Sequence, residues 1–363
     1  MSGLDLLARE GNIMRMIQST SETLFLIHSV EDLMRLADPE IGCQGHHFCQ
    51  MADVDISAVE NWQPFDFLGH YDGNGFTLIG QPNIAEEYCY HEDVSPLFHT
   101  VHRSSYIHNV TIKNSPLAHV MLGGAVAHCI SETILIAERA ENTTFLHCTT
   151  QDVLVGRINQ DYEMLEGALI GCTVTYCRAW SMTAQATDCR FQFCQTSGGP
   201  LIGGWADHSQ IADCESVLDF HYDEAIGGIS SRLKNSTVTR CIISGRALGG
   251  LSELTGIAFE CDCSTISFCA VGPVSCWEPR FFYGRVSYQL KNRGCLIHNV
   301  SIEGNAIYRN RSEDLYGVEG KTLPVEQFNQ AYFEQVLHWD FATVWRWDSA
   351  SCLPVLQMMH KTN

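Results

Sequence analysis

The sequence predicts an all-β chain wound as a right-handed parallel β-helix. Three observations predict it. A short signature, an apolar residue followed two positions later by another residue and then cysteine, recurs at Phe145–Cys148, Val174–Cys177, Phe191–Cys194, Ile211–Cys214, Val238–Cys241 and Ile266–Cys269. Gly-rich apolar elements recur between these strands. The spacing of the signature is irregular while the signature stays constant, as expected of a solenoid whose coils take insertions in loops.

The chain has 363 residues, 45% of them apolar, enough for a sizeable core. Residues 1–40 read as a helical N-terminal cap. Leu4, Leu7, Ile13, Met14 and Ile17 give a helical stripe. Ser29 opens a second short helix as its N-cap, with Leu33 and Leu36 on the inner face. Residues 41–304 read as the β-helix and 305–363 as a C-terminal capping segment. Asp72-Gly73-Asn74-Gly75 marks a turn into the strand Phe76–Ile79.

Two segments match closely, Tyr106-Ile-His-Asn-Val-Thr-Ile112 and Leu296-Ile-His-Asn-Val-Ser-Ile302. Taking Ile107 and Ile297 as anchors, successive anchors lie 38, 29, 17, 20, 27, 28 and 31 residues apart. Ser209, Ser236 and Ser264 lead three of the strands. The glycine elements are Leu122–Ala125, Gly167–Gly171, Gly199–Gly203, Ile226–Ile229 and Leu248–Leu251. Each coil therefore reads as a Gly-apolar corner, a variable loop, then an apolar-x-x-Cys strand. Equivalent positions on adjacent coils stack about 4.8 Å apart, and cysteine suits a crowded internal ladder. Cys148, Cys177, Cys214, Cys241 and Cys269 are expected on parallel strands in one buried interior column. Eight such strands would give a face about 34 Å long.

These features resemble the GLUG-motif β-helix family. The leader runs through the helix Ser29–Ala37, Asp53-Val-Asp-Ile-Ser57, Trp62-Gln-Pro64 and Phe67–Gly80, then Pro96-Leu97-Phe98. The closing module is Trp339–Asp348 with Leu353-Pro354. The resemblance spans residues 29–356 and implies the fold more firmly than a function. Many members are large bacterial surface proteins whose repeats serve adhesion or spacing, and some sit beside protease domains. This chain departs from them in being short, with no evident signal peptide and no second domain. Cytoplasmic synthesis is the expectation, with signal-independent export or delivery to a host left open.

The 17 cysteines then read as reduced, buried residues rather than disulfides. The 42 acidic against 22 basic residues give a net charge of −20, which repels nucleic acid and anionic membranes. No run is long enough to span a bilayer. A protein partner with a basic surface is expected, and a glycan is possible.

Candidate chemistry is sparse, and no catalytic residue, cofactor or metal is expected. Cys43-Gln-Gly-His46-His47-Phe-Cys49 holds metal-ligand types but misses the spacing of a paired zinc motif, so a loop entering a buried strand is the alternative. Asp213, Glu215, Asp219, Asp223 and Glu224 cluster in sequence. Paired carboxylates could serve polysaccharide hydrolysis or lysis, and a solvated face is the plainer reading. His108 and His298 recur at matching repeat positions, which argues for a structural role. Trp180, Trp205, Trp277, Phe281, Phe282 and Tyr283 suit partner binding or plugging of the solenoid flanks. The residues assigned to partner binding are Trp180, Trp205, Asp219, Asp223, Glu224, Trp277, Phe281 and Tyr283. Three functions remain: a non-enzymatic recognition protein, a carbohydrate-active hydrolase or lyase, and an acidic mimic of nucleic acid.

Overall fold

The computed structural model describes residues 23–81, 95–159, 164–220, 226–247, 254–276, 282–306, 311 and 313–357. Three long parallel sheets of 12, 10 and 12 strands run along its length. We call them sheets A, C and B. One turn of chain visits C, A and B in order. Ala118–Met121 lies in C, Gly124–Ala127 in A and Ile130–Ser131 in B. The chain then returns to C with Ile136–Glu141, paired parallel to Ala118–Met121. Repeating this step builds a right-handed parallel β-helix. Twelve strands give sheet A a length of about 53 Å rather than 34 Å.

Seven of the predicted anchors form its spine, with Val126 on the coil that the spacing of 38 residues skips. Ile107, Val126, Phe145, Val174, Phe191, Ile211, Val238 and Ile266 stand in register on successive strands of sheet A and are fully buried. Burying one such side chain contributes about 1.5–3 kcal/mol. The next rung is Leu296, paired with Ile266, rather than Ile297. The two Ile-His-Asn-Val segments are therefore offset by one residue. Ile107 points inward and His108 lies in its strand, whereas His298 has left the strand. The repeat match was one of letters, and a one-residue slip exchanges the two faces of a strand.

The cysteine column is real and wholly buried, but it lies at the corner between sheets A and B, not on strands. In nine successive coils, from His108–Thr111 to Ile297–Val300, two residues separate the A strand from the B strand. The first is left-handed: Asn109, His128, His147, Tyr176, Phe193, Asp213, Arg240, Phe268 and His298, all with φ between 49° and 57°. The second points inward: Val110, then Cys129, Cys148, Cys177, Cys194, Cys214, Cys241 and Cys269, then Asn299. Each of the seven thiols donates to the carbonyl two residues back at 3.2–3.6 Å. A left-handed non-glycine residue costs about 1–2 kcal/mol. The thiol bond offsets part of that cost, and so does stacking outside. His128–His147, His147–Tyr176 and Tyr176–Phe193 lie 4.9, 4.7 and 4.8 Å apart, nearly parallel.

The corner between C and A uses the same device. Asn142, Gly171, Asp188, His208, Asn235 and Cys263 are left-handed. Thr143, Cys172, Cys189, Ser209, Ser236 and Ser264 follow them. Each backbone N–H in this row donates to the side chain of the next, at 3.4, 3.4, 3.1, 3.0 and 2.9 Å. The leading serines seen in the sequence are thus the continuation of a ladder begun by cysteines.

The order expected within a coil needs correction. Variable loops precede the glycine elements, between sheets B and C. These connections run from three residues, as between Gly198 and Ile202, to eighteen, between Ile79 and Phe98. Gly123 and Gly124 make a C-to-A corner, where a Cβ on Gly124 would meet the Ser105 carbonyl oxygen at 2.1 Å. Gly199–Gly203 feeds the C strand Ile202–Asp207. Leu248–Leu251 lies outside the described residues.

At the N-terminal end, Leu24–Ile27 is a strand of sheet A, not helix, because it pairs with His46–Gln50. The helix Val30–Met34 follows as expected, its N-cap Ser29 accepting from the Asp32 N–H, with Leu33 and Leu36 buried. The apolar stripe over residues 4–17 lies outside the described residues.

The C-terminal segment folds into the helix Gln330–Gln335 and the hairpin Trp345–Asp348 with Leu353–Leu356. Phe328, Phe333, Trp339 and Trp345 form an aromatic cluster against Ile242, Ala270, Val300 and Leu323. Ile242, Ala270 and Val300 are one outward column of sheet B, since their neighbours Ile243 and Val271 face the solenoid core. The module therefore covers a flank of the last coils. Near the end of the solenoid, the fully buried Arg285 donates to Thr322 Oγ1 at 2.6 Å, and the Arg285 N–H donates to Glu319 at 3.2 Å.

Candidate binding surface

The corner between sheets B and C collects the long connections. Phe220, Ala247 and Cys276 end three adjacent B strands in register. Ile226, Leu254 and Phe282 begin the return on the other side, also paired. The three intervening connections therefore leave and re-enter the solenoid one above another.

Beside the ends of these three B strands lies a cleft of about 710 Å³. Its floor includes Val217 and Val274, its rim Asp219, Arg246 and Glu303, and its far wall Leu353 of the C-terminal hairpin. Gly245, at φ 109°, lets the strand arch here; a Cβ would meet the Leu218 carbonyl oxygen at 2.2 Å. Asn305 holds the wall: it accepts from the Val274 N–H at 3.0 Å and donates to Gly272 O at 2.8 Å. Asp219 accepts from Arg246 Nε at 2.7 Å, and both side chains are more than half exposed.

The acidic cluster of the sequence is dispersed in space. Asp213 sits at an A-to-B corner, nearly buried, gripped by Arg240 through two bonds of 2.7 Å. Glu215 points outward from sheet B but is buried beneath the C-terminal hairpin. It accepts from the Leu356 N–H at 3.4 Å and Gln195 Nε2 at 3.0 Å. Burial pushes its carboxyl up to about 7. Asp219 alone of these described acids lines the cleft. Asp223 and Glu224 lie outside the described residues, as do Trp277 and Phe281. Tyr283 belongs to the strand Phe282–Gly284 at the same corner, where only its backbone is described.

The two remaining tryptophans differ. Trp180 lies across Gly198 and Gly199 of the next coil, where a Cβ would come within 2.1 and 2.6 Å of its ring, and packs on Val153, Leu165 and Ala184. It plugs a flank. Trp205 is 46% exposed on the outer face of sheet C, between Gln185 and Arg232. The sequence did not point to Arg246, Glu303 or Leu353, which lie in three separate stretches of chain and meet only through coil stacking.

The cysteine–histidine segment forms the strand His46–Gln50, with Cys43 Sγ donating to the Asp66 carbonyl at 3.4 Å. No group of three or more potential ligands is placed to hold a metal among the described residues. His108 lies 3.4 Å from Asp72, and His298 stacks on Phe268. No helix among the described residues is long and apolar enough to cross a membrane.

No known family model matches the chain, and no curated protein matches it. One solved structure is similar over 93% of each chain, a candidate immunoglobulin A1 protease from Bacteroides ovatus, with 13% identity and a TM-score of 0.30. At that score the likeness carries no argument about function.

Proposed function

We propose that the chain is a non-enzymatic recognition protein that binds a protein partner at the edge between sheets B and C. The observation carrying this reading is one cleft, lined by three adjacent sheet B strands and the C-terminal hairpin, whose rim holds Asp219, Arg246 and Glu303. Binding residues concentrate in loops held by a rigid scaffold. A net charge of −20 would steer a basic partner toward it.

The alternatives find less support. A glycosidase needs two carboxyl groups flanking one bond. Here Asp213 is gripped by an arginine at a different corner, and Glu215, though its raised carboxyl suits an acid, is sealed under Leu356. A nucleic-acid mimic needs an axial stripe of acids. One outward column of sheet C instead runs Asp207, Lys234, Asp262, Lys291, alternating in sign. Placement with the GLUG-motif β-helices, and with it adhesion or host interaction, is part of the same proposal and is supported by the repeated glycine elements.

The test is affinity capture by the tagged full chain over a salt series, beside an Asp219→Lys/Glu303→Lys variant. The expected result is a basic protein retained at low salt, lost at 0.5 M salt and lost by the variant. A broad polysaccharide screen runs in parallel. Reproducible product formation abolished by Asp219→Ala would overturn the reading in favour of an enzyme.

A further inference from the structure

We propose that Glu215 is a proton-operated latch for the C-terminal module, residues 324–357: protonated, it holds the module on sheet B, and on losing its proton it loosens the seat. The geometry places the carboxyl at the seam. Arg178, Gln195, Glu215 and Ile242 are consecutive rungs of one outward column of sheet B. Ile242 is already under the aromatic cluster, so Glu215 stands at the module's margin. Hydrogen bonds between described residues fasten module to solenoid. One runs from Trp339 Nε1 to the Phe268 carbonyl at 2.8 Å, the other from the Leu356 N–H to Glu215.

The surroundings supply little for a charged carboxylate. Among the described residues no cation lies within ion-pair distance of Glu215. The charged groups facing it are Arg178 on its own sheet and Arg346 on the hairpin, the latter 3.7 Å from Asp348. Gln195 and the Leu356 N–H are its only donors in that set. A buried carboxylate with two donors and no close cation is costly, and the cost is relieved by protonation or by exposure to water. Burial accordingly lifts this group to about 7 from an ordinary 4.5. The sign follows: a raised carboxyl favours the seated module below pH 4.5, and that preference is lost as pH rises through 7. Other titratable groups at the seat include His338, packed on Phe268, Tyr332, packed on the aromatic cluster, and Asp340, bonded to Thr343 and Ala342 and facing Arg240 of the solenoid.

The hairpin strand that carries Leu356 also carries Leu353, the far wall of the cleft. Proton release at Glu215 would therefore reshape the cleft. That consequence rests on reading the cleft as a binding surface; the latch itself does not.

The experiment is hydrogen exchange on the full chain without any partner, from pH 5.5 to 8.5, corrected for intrinsic exchange. Protection at Trp345–Asp348 and Leu353–Leu356 is read against the solenoid strand Gln210–Ala212. With the two carboxyl values above, module opening should rise about 30-fold across this range. Glu215→Gln should flatten the rise, and His338→Gln should preserve it. A rise that survives Glu215→Gln, or vanishes in His338→Gln, overturns the latch. If Glu215→Gln does not fold, the wild-type and His338→Gln curves decide. A flat curve overturns the proposal, and a rise with its midpoint near 7 in both supports it.

Discussion

Replacing Ser209 by alanine should cost far more than its size suggests. Ser209 is fully buried at a C-to-A corner. Its hydroxyl donates to the Asp207 carbonyl at 2.9 Å and accepts from the Cys189 N–H at 3.1 Å. Alanine removes both. The Asp207 carbonyl keeps the Asp188 N–H at 3.0 Å, so one bond of two is lost there. The Cys189 N–H is left without that acceptor in the interior, at about 1–3 kcal/mol, and the lost carbonyl bond adds about 1 kcal/mol. The expected total is about 2–4 kcal/mol. Ser209→Cys should stay within about 1 kcal/mol, because a thiol can serve both bonds, as it does at Cys172 and Cys189. Urea unfolding followed by far-UV circular dichroism reads the difference in midpoint. Alanine within about 0.5 kcal/mol of wild type, or cysteine as damaging as alanine, would refute the ladder as a source of stability.

Arg240→Met should destabilise by about 2–3 kcal/mol because it strands Asp213, while Asp213→Asn added to it should recover most of the loss in a double-mutant cycle. Thiol titration of the native chain should find Cys263, Cys295 and Cys352 reactive; unfolding without reductant should release most of the 17, and a count near one would show disulfides instead. Deleting residues 1–40 removes the strand Leu24–Ile27 and the capping helix and bares the Phe48 strand, so aggregation is expected; a soluble monomer by gel filtration would count against capping. Glu215→Gln should raise global stability near pH 8 by up to about 3 kcal/mol and by little below pH 4.5, read from paired urea curves, since only the wild type carries the buried charge at high pH.

The spine of the solenoid was legible because an inward apolar rung is demanded once per coil. Phe145, Val174, Ile211, Val238 and Ile266 satisfy it by residue type alone. The corners were not legible. Left-handed conformations are usually announced by glycine or asparagine. Here His147, Tyr176, Phe193 and Arg240 adopt them, held by the thiol behind and, in front, by the ring stack or, for Arg240, the Asp213 ion pair, none of it visible in one dimension. That is why the cysteines were placed on strands, and why His108 and His298 passed for equivalents. Cys172 and Cys189 escaped the repeat because their later rungs are serines. The cleft escaped for a similar reason: Asp219 meets Glu303 and Leu353 across more than eighty residues of chain.

The same corners explain where a binding surface could arise at all. An insertion between A and B would break a two-residue turn whose second position must reach the interior column. One between C and A would break the hydroxyl–thiol ladder. The passage from B to C carries no such lock, and there the chain spends anything from three to eighteen residues. By position in the chain, Trp180, Asp223, Glu224, Trp277, Phe281 and Tyr283 all fall in that passage, and Asp219 lies next to the end of the strand that leads into it. The sequence chose them for residue type, as aromatics and acids outside the strands. Length varies most at this corner, because the A-to-B and C-to-A corners are mostly short turns of one or two residues. Variation in loop length is thus greatest along one line of the solenoid, and the C-terminal module sits beside that line with Leu353 in the cleft.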